Sequence, residues 1–515
     1  MQHSASIAVV NADVRTMNRE VPRAQAVLVR NGVIDAVGTD SEIHGLAAAD
    51  DILIIDAGGN TVLPGFIDAH THMELACYSL EYWPQAHTPP LESLEEVAQS
   101  IRDFLNRNPG DDFLLVRSSF GMHAKVSENR LFTRKELDEI TADRPLAVAA
   151  GLHVISLNTP AMELLGVFEL PDSLERVIHR DENGEPSGVV TEILEQMPEF
   201  AKEKLGRAII AHLPALATHN GVTTIGSIAW NTYDRDVFEQ LITDGMPIRL
   251  KSYPHVPRVM SVDTALSTAL DSRAAVSHSG LGGYKIFVDG QHGDGLDAVF
   301  DDLKWSQKDL NEFVAGATNQ GSQVIMHAVS TTAIRMALEA IERSSNEPGN
   351  PLRHRIEHGG DYIEAIDIER AASSGALLVT TPQFILSADG ESAGPGALLK
   401  SILGAGIRLV AGTDTTGTVP EGAAPLYNIA CAMNRSGKSA SEALTFEEAA
   451  SLFTTSAAYS MFEERTRGDI APGKFGDLVI LDRAVDEVAD PRDFFEVSVK
   501  ATIFAGDVVY TAGGK

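Results

Sequence analysis

Short apolar runs recur through the middle of the chain, at residues 65–72, 221–228, 248–253, 284–290, 324–328, 355–359, 377–382 and 407–414. Each is too short for a helix and is bounded by turn residues, which is how a strand buried on both faces reads. Several of the gaps, among them 234–243, 308–318, 332–343 and 363–373, carry apolar positions at helical spacing instead. Strand–helix alternation predicts a parallel sheet, and eight such units predict a closed (β/α)8 TIM barrel, an α/β fold; an open doubly wound sheet is the alternative.

The flanks have a different texture. Ala26–Arg30 and Val33–Val37 bracket Asn31-Gly32, a hairpin signal, and residues 51–56 read as a further strand. Residues 477–481, 498–504 and 508–510 look alike. Each flank is short for a sheet with its own core, so the two are expected to form one discontinuous β-sandwich domain, residues 1–62 with 465–515, around a barrel at 63–464. Residues 80–205 interrupt the first unit as an inserted α+β segment. It holds a helix near 93–106, strands near 113–119 and 146–153, and a turn at 181–186. An insertion after the first barrel strand sits over the mouth, where it can wall a substrate pocket.

Composition narrows the partners. The apolar fraction of 44% can fill a large core, and the formal charge of −31 disfavours nucleic acid and anionic membranes. A small-molecule substrate is expected. Cys77 and Cys431 form no disulfide framework, no basic leader or membrane-length apolar stretch is visible, and a cytoplasmic location is expected. A homo-oligomer is anticipated, with the dimer favoured as the commonest assembly.

Polar residues interrupt these apolar runs in a pattern. In Pro64-Gly65-Phe66-Ile67-Asp68-Ala69-His70-Thr71-His72, alternation puts His70 and His72 on one face of a strand's end. Two neutral imidazoles converging on one point suit a divalent metal such as zinc. Lys285 lies within the fourth run, His327 and His358 close the fifth and sixth, and Asp414 closes the eighth. All but Lys285 sit towards strand C-terminal ends, where barrel enzymes place their chemistry. A cation there brings bound water towards a neutral pKa and polarises a carbonyl, and a neighbouring carboxylate can carry the proton. For Lys285 an ordinary ion pair is the alternative, with one metal instead of two.

These positions resemble the metal-dependent amidohydrolase superfamily, and within it the YtcJ-like amidohydrolase family 3. The resemblance covers nearly the whole chain: Leu63–His72, Lys285 with Asp289-Gly290, His327, Glu357-His358, Gly412-Thr413-Asp414, and the return Gly468–Val479. It implies that His70 and His72 bind one metal and that His327 and His358 bind a second. Lys285, N-carboxylated, would bridge them, and Asp414 would be both ligand and proton shuttle. The cofactor is then one or two divalent ions, expected to be Zn2+. The stretch Val116–His123 departs from the aromatic and glycine signatures of many relatives, so no single relative's specificity carries over.

His153, Glu192 and His292 are the candidate substrate-binding residues, while Glu357 is expected to face away and pair with Arg353 or Arg355. The expected activity is hydrolysis, by attack of metal-bound hydroxide, of a non-peptide carbon–nitrogen bond in a linear amide, an N-substituted formamide or an N-acyl compound. The same site could act on a lactone, carbamate, cyclic imide or amidine. A lyase or isomerase, or a non-catalytic assembly protein, are the remaining readings.

Overall fold

The parallel strands of the middle of the chain lie in two sheets. One is ordered Ser279–Leu281, Arg249–Pro254, Val222–Ala229, Phe66–Thr71, the other Tyr284–Phe287, Val324–His327, Arg355–Glu357, Leu377–Thr380, Leu409–Ala411. Every pairing within both is parallel. The computed structural model describes residues 6–48, 52–119, 121–151, 153–170, 178–193, 196–268, 279–292, 299–344, 349–386, 397–416, 421–435 and 437–513. Eight of the nine strands fall in the predicted runs; Ser279–Leu281 does not, being set off from Tyr284 by Gly282-Gly283.

Backbone bonds link the two sheets. His255 and Lys285 form a parallel bridge, and Val256 N–H donates to the Lys285 carbonyl at 2.8 Å. Elsewhere Asp414 N–H donates to the His70 carbonyl at 2.8 Å, and His72 N–H to the Thr415 carbonyl at 3.1 Å.

The connecting helices begin where the sequence caps them. Ser306 and Ser330 accept from the third residue of Gln307–Asn319 and Thr331–Arg343. The second of these buries Ile334, Leu338 and Ile341, each worth about 1.5–3 kcal/mol of transfer free energy. Among the described residues no helix is long and apolar enough to cross a membrane.

The flanks supply two further sheets, a four-stranded one with Ile7–Val10 and a six-stranded one that joins Asp13–Arg15 and Thr61–Pro64 to Leu478–Leu481, Val499–Phe504 and Asp507–Thr511. The hairpin at Asn31-Gly32 turns with positive φ at both residues, 50° and 77°, the conformation for which that dipeptide is suited. Ile7, Val9, Val27 and Val29 of one sheet share a buried cluster with Val14, Val62, Leu478, Ile480 and Ile503 of the other.

The inserted segment forms a five-stranded sheet ordered Ile178–Arg180, Pro186–Thr191, Val154–Leu157, Leu146–Ala149, Leu114–Arg117. The strand expected to run to residue 153 stops at Ala149. Gly151, at φ 116°, reverses the chain there into the antiparallel strand Val154–Leu157, so His153 stands in the turn.

Candidate metal centre

The geometry gathers most of the predicted residues. His70, His72 and His358 are each less than a tenth exposed. The rings of His70 and His72 are 5.8 Å apart, those of His70 and His358 5.3 Å, and those of His327 and His358 4.8 Å. Nε2 of His70 and Nε2 of His72 each stand 3.4 Å from Asp414 Oδ1. Donor atoms around a four-coordinate zinc are about 3.4 Å apart. One ligand atom each from His70, His358 and Asp414 fall within 4.8 Å of one another, a group that can hold a metal ion. The Nδ1 of His72 is buried with no hydrogen-bond partner among the described residues.

Backbone shape aims these groups. His358 and Asp414 have φ of 64° and 49°, in the left-handed region that non-glycine residues adopt uncommonly. Asp68 holds the Asp414 turn from the neighbouring strand: its carboxylate accepts from Thr413 N–H at 2.9 Å and Thr413 Oγ1 at 2.6 Å. Behind His70, Glu357 Oε2 lies 2.5 Å from Nδ1 and accepts its proton, which leaves Nε2 as the outward donor. Arg355 grips Glu357 with two bonds of 2.8 Å and also donates to the Ala69 carbonyl at 2.9 Å.

Electrostatics follow from burial. His72 is pushed down to about 3 by desolvation, and His327 well below its usual value by desolvation, His358 and Lys285, so both imidazoles are neutral donors at pH 7. Burial would raise Asp414 and Glu357, but His70, His358 and His72 pull the first far below the carboxylate range, and Arg355 and His70 do so for the second. Burial and Lys285 lower His70, yet Asp414 and Glu357 outweigh them and raise it. Lys285 is buried, has no ion pair among the described residues, lies over the Phe287 ring at 4.7 Å, and is lowered to about 8 by desolvation.

The substrate candidates divide. His153 Nδ1 is 2.7 Å from Glu192 Oε1, and its ring lies 5.3 Å from that of His327, so both residues border the centre. Glu192 holds a φ of 55°. His292 ends the strand Asp289–His292, and its side chain lies outside the described residues. Glu357 does pair with Arg355, as expected, while Arg353 pairs with Glu464; its bond to His70 is the added finding.

The sequence reading gave no role to His255, or to Asp289 beyond its place in a motif. His255 is buried, 4.9 Å from the Phe287 ring and driven down to about 3, chiefly by burial. Asp289 is buried, accepts from Ser330 N–H at 2.7 Å and lies 3.8 Å from His327 Nε2. The signal for His255 was present: it follows the third apolar run at a strand's C-terminal end.

Known proteins resemble this chain over most of its length. The chain is 28% identical over 550 residues to an N-substituted formamide deformylase of Arthrobacter pascens, covering 100% of both. It is 26% identical to YtcJ of Bacillus subtilis (strain 168), over 96% of this chain and 98% of that protein. An uncharacterized metal-dependent hydrolase from Pyrococcus furiosus shares the fold, with a TM-score of 0.69 at 22% identity over 95% of this chain and 100% of that one. The amidohydrolase family model matches residues 53–510. Most of this chain is thereby accounted for, and it belongs to the amidohydrolase family.

Proposed function

We propose that this chain, a hydrolase of carbon–nitrogen bonds by family, cleaves a linear amide, an N-substituted formamide or an N-acyl compound at the centre around His70 and Asp414. The observation that carries the reading is the approach of two imidazole nitrogens to one Asp414 oxygen at 3.4 Å each. It is supported by the full-length likeness to a formamide deformylase. In this reading the two parallel sheets close as one eight-stranded barrel, in which Ser279–Leu281 and Tyr284–Phe287 are one interrupted strand next to residues 249–255, with the flanking sheets as a sandwich beside it. His70, His72 and Asp414 would hold one ion and His327 and His358 a second, with Lys285, as a carbamate, supplying a ligand to both; a lysine lowered to about 8 offers the neutral amine that CO2 needs. A divalent ion held there, zinc in this reading, would supply a Lewis acid for the scissile carbonyl and lower the pKa of water.

The chain's own groups do the rest. Asp414, ionised and partly exposed, takes the proton of the attacking water and delivers it to the departing nitrogen. Glu357 holds His70 in one tautomer throughout. Glu192 fixes His153 beside the centre, where its ring orients the substrate. The test is a mass-spectrometric panel of formamides, N-acyl compounds, anilides, lactones and cyclic imides, with and without chelator. Chelator-sensitive gain of water on the amide classes is expected. Gain only on lactones or imides, or none with metal bound, would overturn it.

A further inference from the structure

Among the described residues three arginines are fully buried, and two of them are paired. Arg249 meets Asp477 between the rings of Phe475 and Phe504, and Arg355 meets Glu357. Arg117 is the exception: it is 0% exposed, and its Nε, Nη1 and Nη2 have no hydrogen-bond partner among the described residues. A buried charge with no partner costs several kcal/mol, so it calls for an explanation.

The position of Arg117 supplies one. It ends the strand Leu114–Arg117, and its backbone is tied on both sides to the segment that follows helix Met73–Tyr82. Its N–H donates to Pro84 at 2.9 Å and its carbonyl accepts from Ala86 at 2.8 Å. That helix begins directly after His72. Among the described residues, Asp414 is a charged group whose field reaches the guanidinium. The same two segments carry further orphaned polar atoms: His87 Nδ1, Thr88 Oγ1 and Ser118 Oγ are all buried without partners among the described residues. One buried cation, on segments that leave further polar atoms unpartnered and within the field of Asp414, is compensated by one monoanion. A planar carboxylate matches the guanidinium fork, whereas a phosphate dianion would leave an unbalanced charge.

We infer that Arg117 anchors a carboxylate of the substrate, so that this chain acts on N-acyl or N-formyl compounds bearing a carboxylate a few bonds from the scissile carbon–nitrogen bond. This rests on the hydrolase reading above. In a chain of net charge −31 a buried arginine also offsets the long-range repulsion of an anionic substrate.

The test uses the metal-loaded protein with N-formyl-leucine, N-formyl-phenylalanine and N-formyl-glutamate, each against its carboxamide. The wild type should prefer the carboxylates in kcat/KM by about 100-fold or more. In Arg117→Met the preference should collapse towards unity, with the loss mainly in KM; Arg117→Lys, which keeps the charge and loses the fork, should fall between and covers the case in which the first variant does not fold. Equal use of acids and amides, or a preference unchanged in Arg117→Met, overturns the anchor and leaves the hydrolase reading standing. If no probe is cleaved, calorimetric titration of the same carboxylates decides. Saturable binding lost in Arg117→Met keeps the anchor and removes the hydrolase reading; no binding overturns the anchor.

Discussion

Gly412 lies so close to His70 that a Cβ at position 412 would stand 2.4 Å from the Cβ of His70 and 2.7 Å from its backbone nitrogen. The strand carrying the first imidazoles and the strand leading to Asp414 approach at this point because residue 412 has no side chain. Gly412→Ala should force them apart, at a cost of about 1–3 kcal/mol from overpacking. Metal content after dialysis and the urea midpoint should both fall; wild-type values for both would show that the approach is not needed.

Glu357 connects Arg355 to His70. Glu357→Gln leaves a buried guanidinium short of its counter-charge, a loss of about 3–5 kcal/mol, and frees the His70 ring to turn. Metal affinity should drop about 10–100-fold. Competition titration with a chromophoric chelator measures this, and an unchanged affinity would remove Glu357 from the support of the centre.

Asp414→Asn keeps the shape and one oxygen donor but cannot accept the proton. Metal should be retained while turnover falls about 10²–10⁴-fold. Full activity in this variant would exclude Asp414 as the shuttle.

Lys285→Ala should lose the bridging group, and short carboxylic acids such as acetate should restore part of the rate by standing in for it. Wild-type metal content and rate without any addition would refute the carbamate.

The buried imidazole of His354 accepts from Val324 N–H at 2.9 Å and faces Thr318 Oγ1 at 2.9 Å, and desolvation lowers it to about 4. The unfolded chain protonates this group near pH 6.5 and the folded chain only near 4, so the unfolded state holds more protons between the two. The stability it contributes is complete above pH 6.5 and is lost as pH falls towards 4, by about 3 kcal/mol. Thermal midpoints between pH 7 and pH 4 should fall more steeply in the wild type than in His354→Gln. Parallel slopes would contradict the assignment.

Much of this architecture was legible in local pattern. Helix Asp234–Thr243 has the bounds its periodicity predicts, and His70 and His72 are readable because strand alternation is a local property. Arg117 and the tie between Glu357 and His70 were not. Both depend on which distant segments meet, 84–86 with 117 and 70 with 357, and no local periodicity encodes that. The break at Ala149 was also missed, because an apolar run does not mark the residue at which a chain reverses. The left-handed backbones of His358 and Asp414 are hidden for a related reason. Surrounding structure imposes them against the preference of the residue itself.

Thr61–Pro64 pairs with Leu478–Leu481, and after Gly65 alone the same run of chain becomes the strand Phe66–Thr71 that carries His70 and leads to His72. Asp414 is synthesised hundreds of residues after His70, so the ligand set of the proposed centre cannot be complete until the two strands that carry these residues have met. Metal retention would then report the docking of distant segments and not the folding of either strand alone.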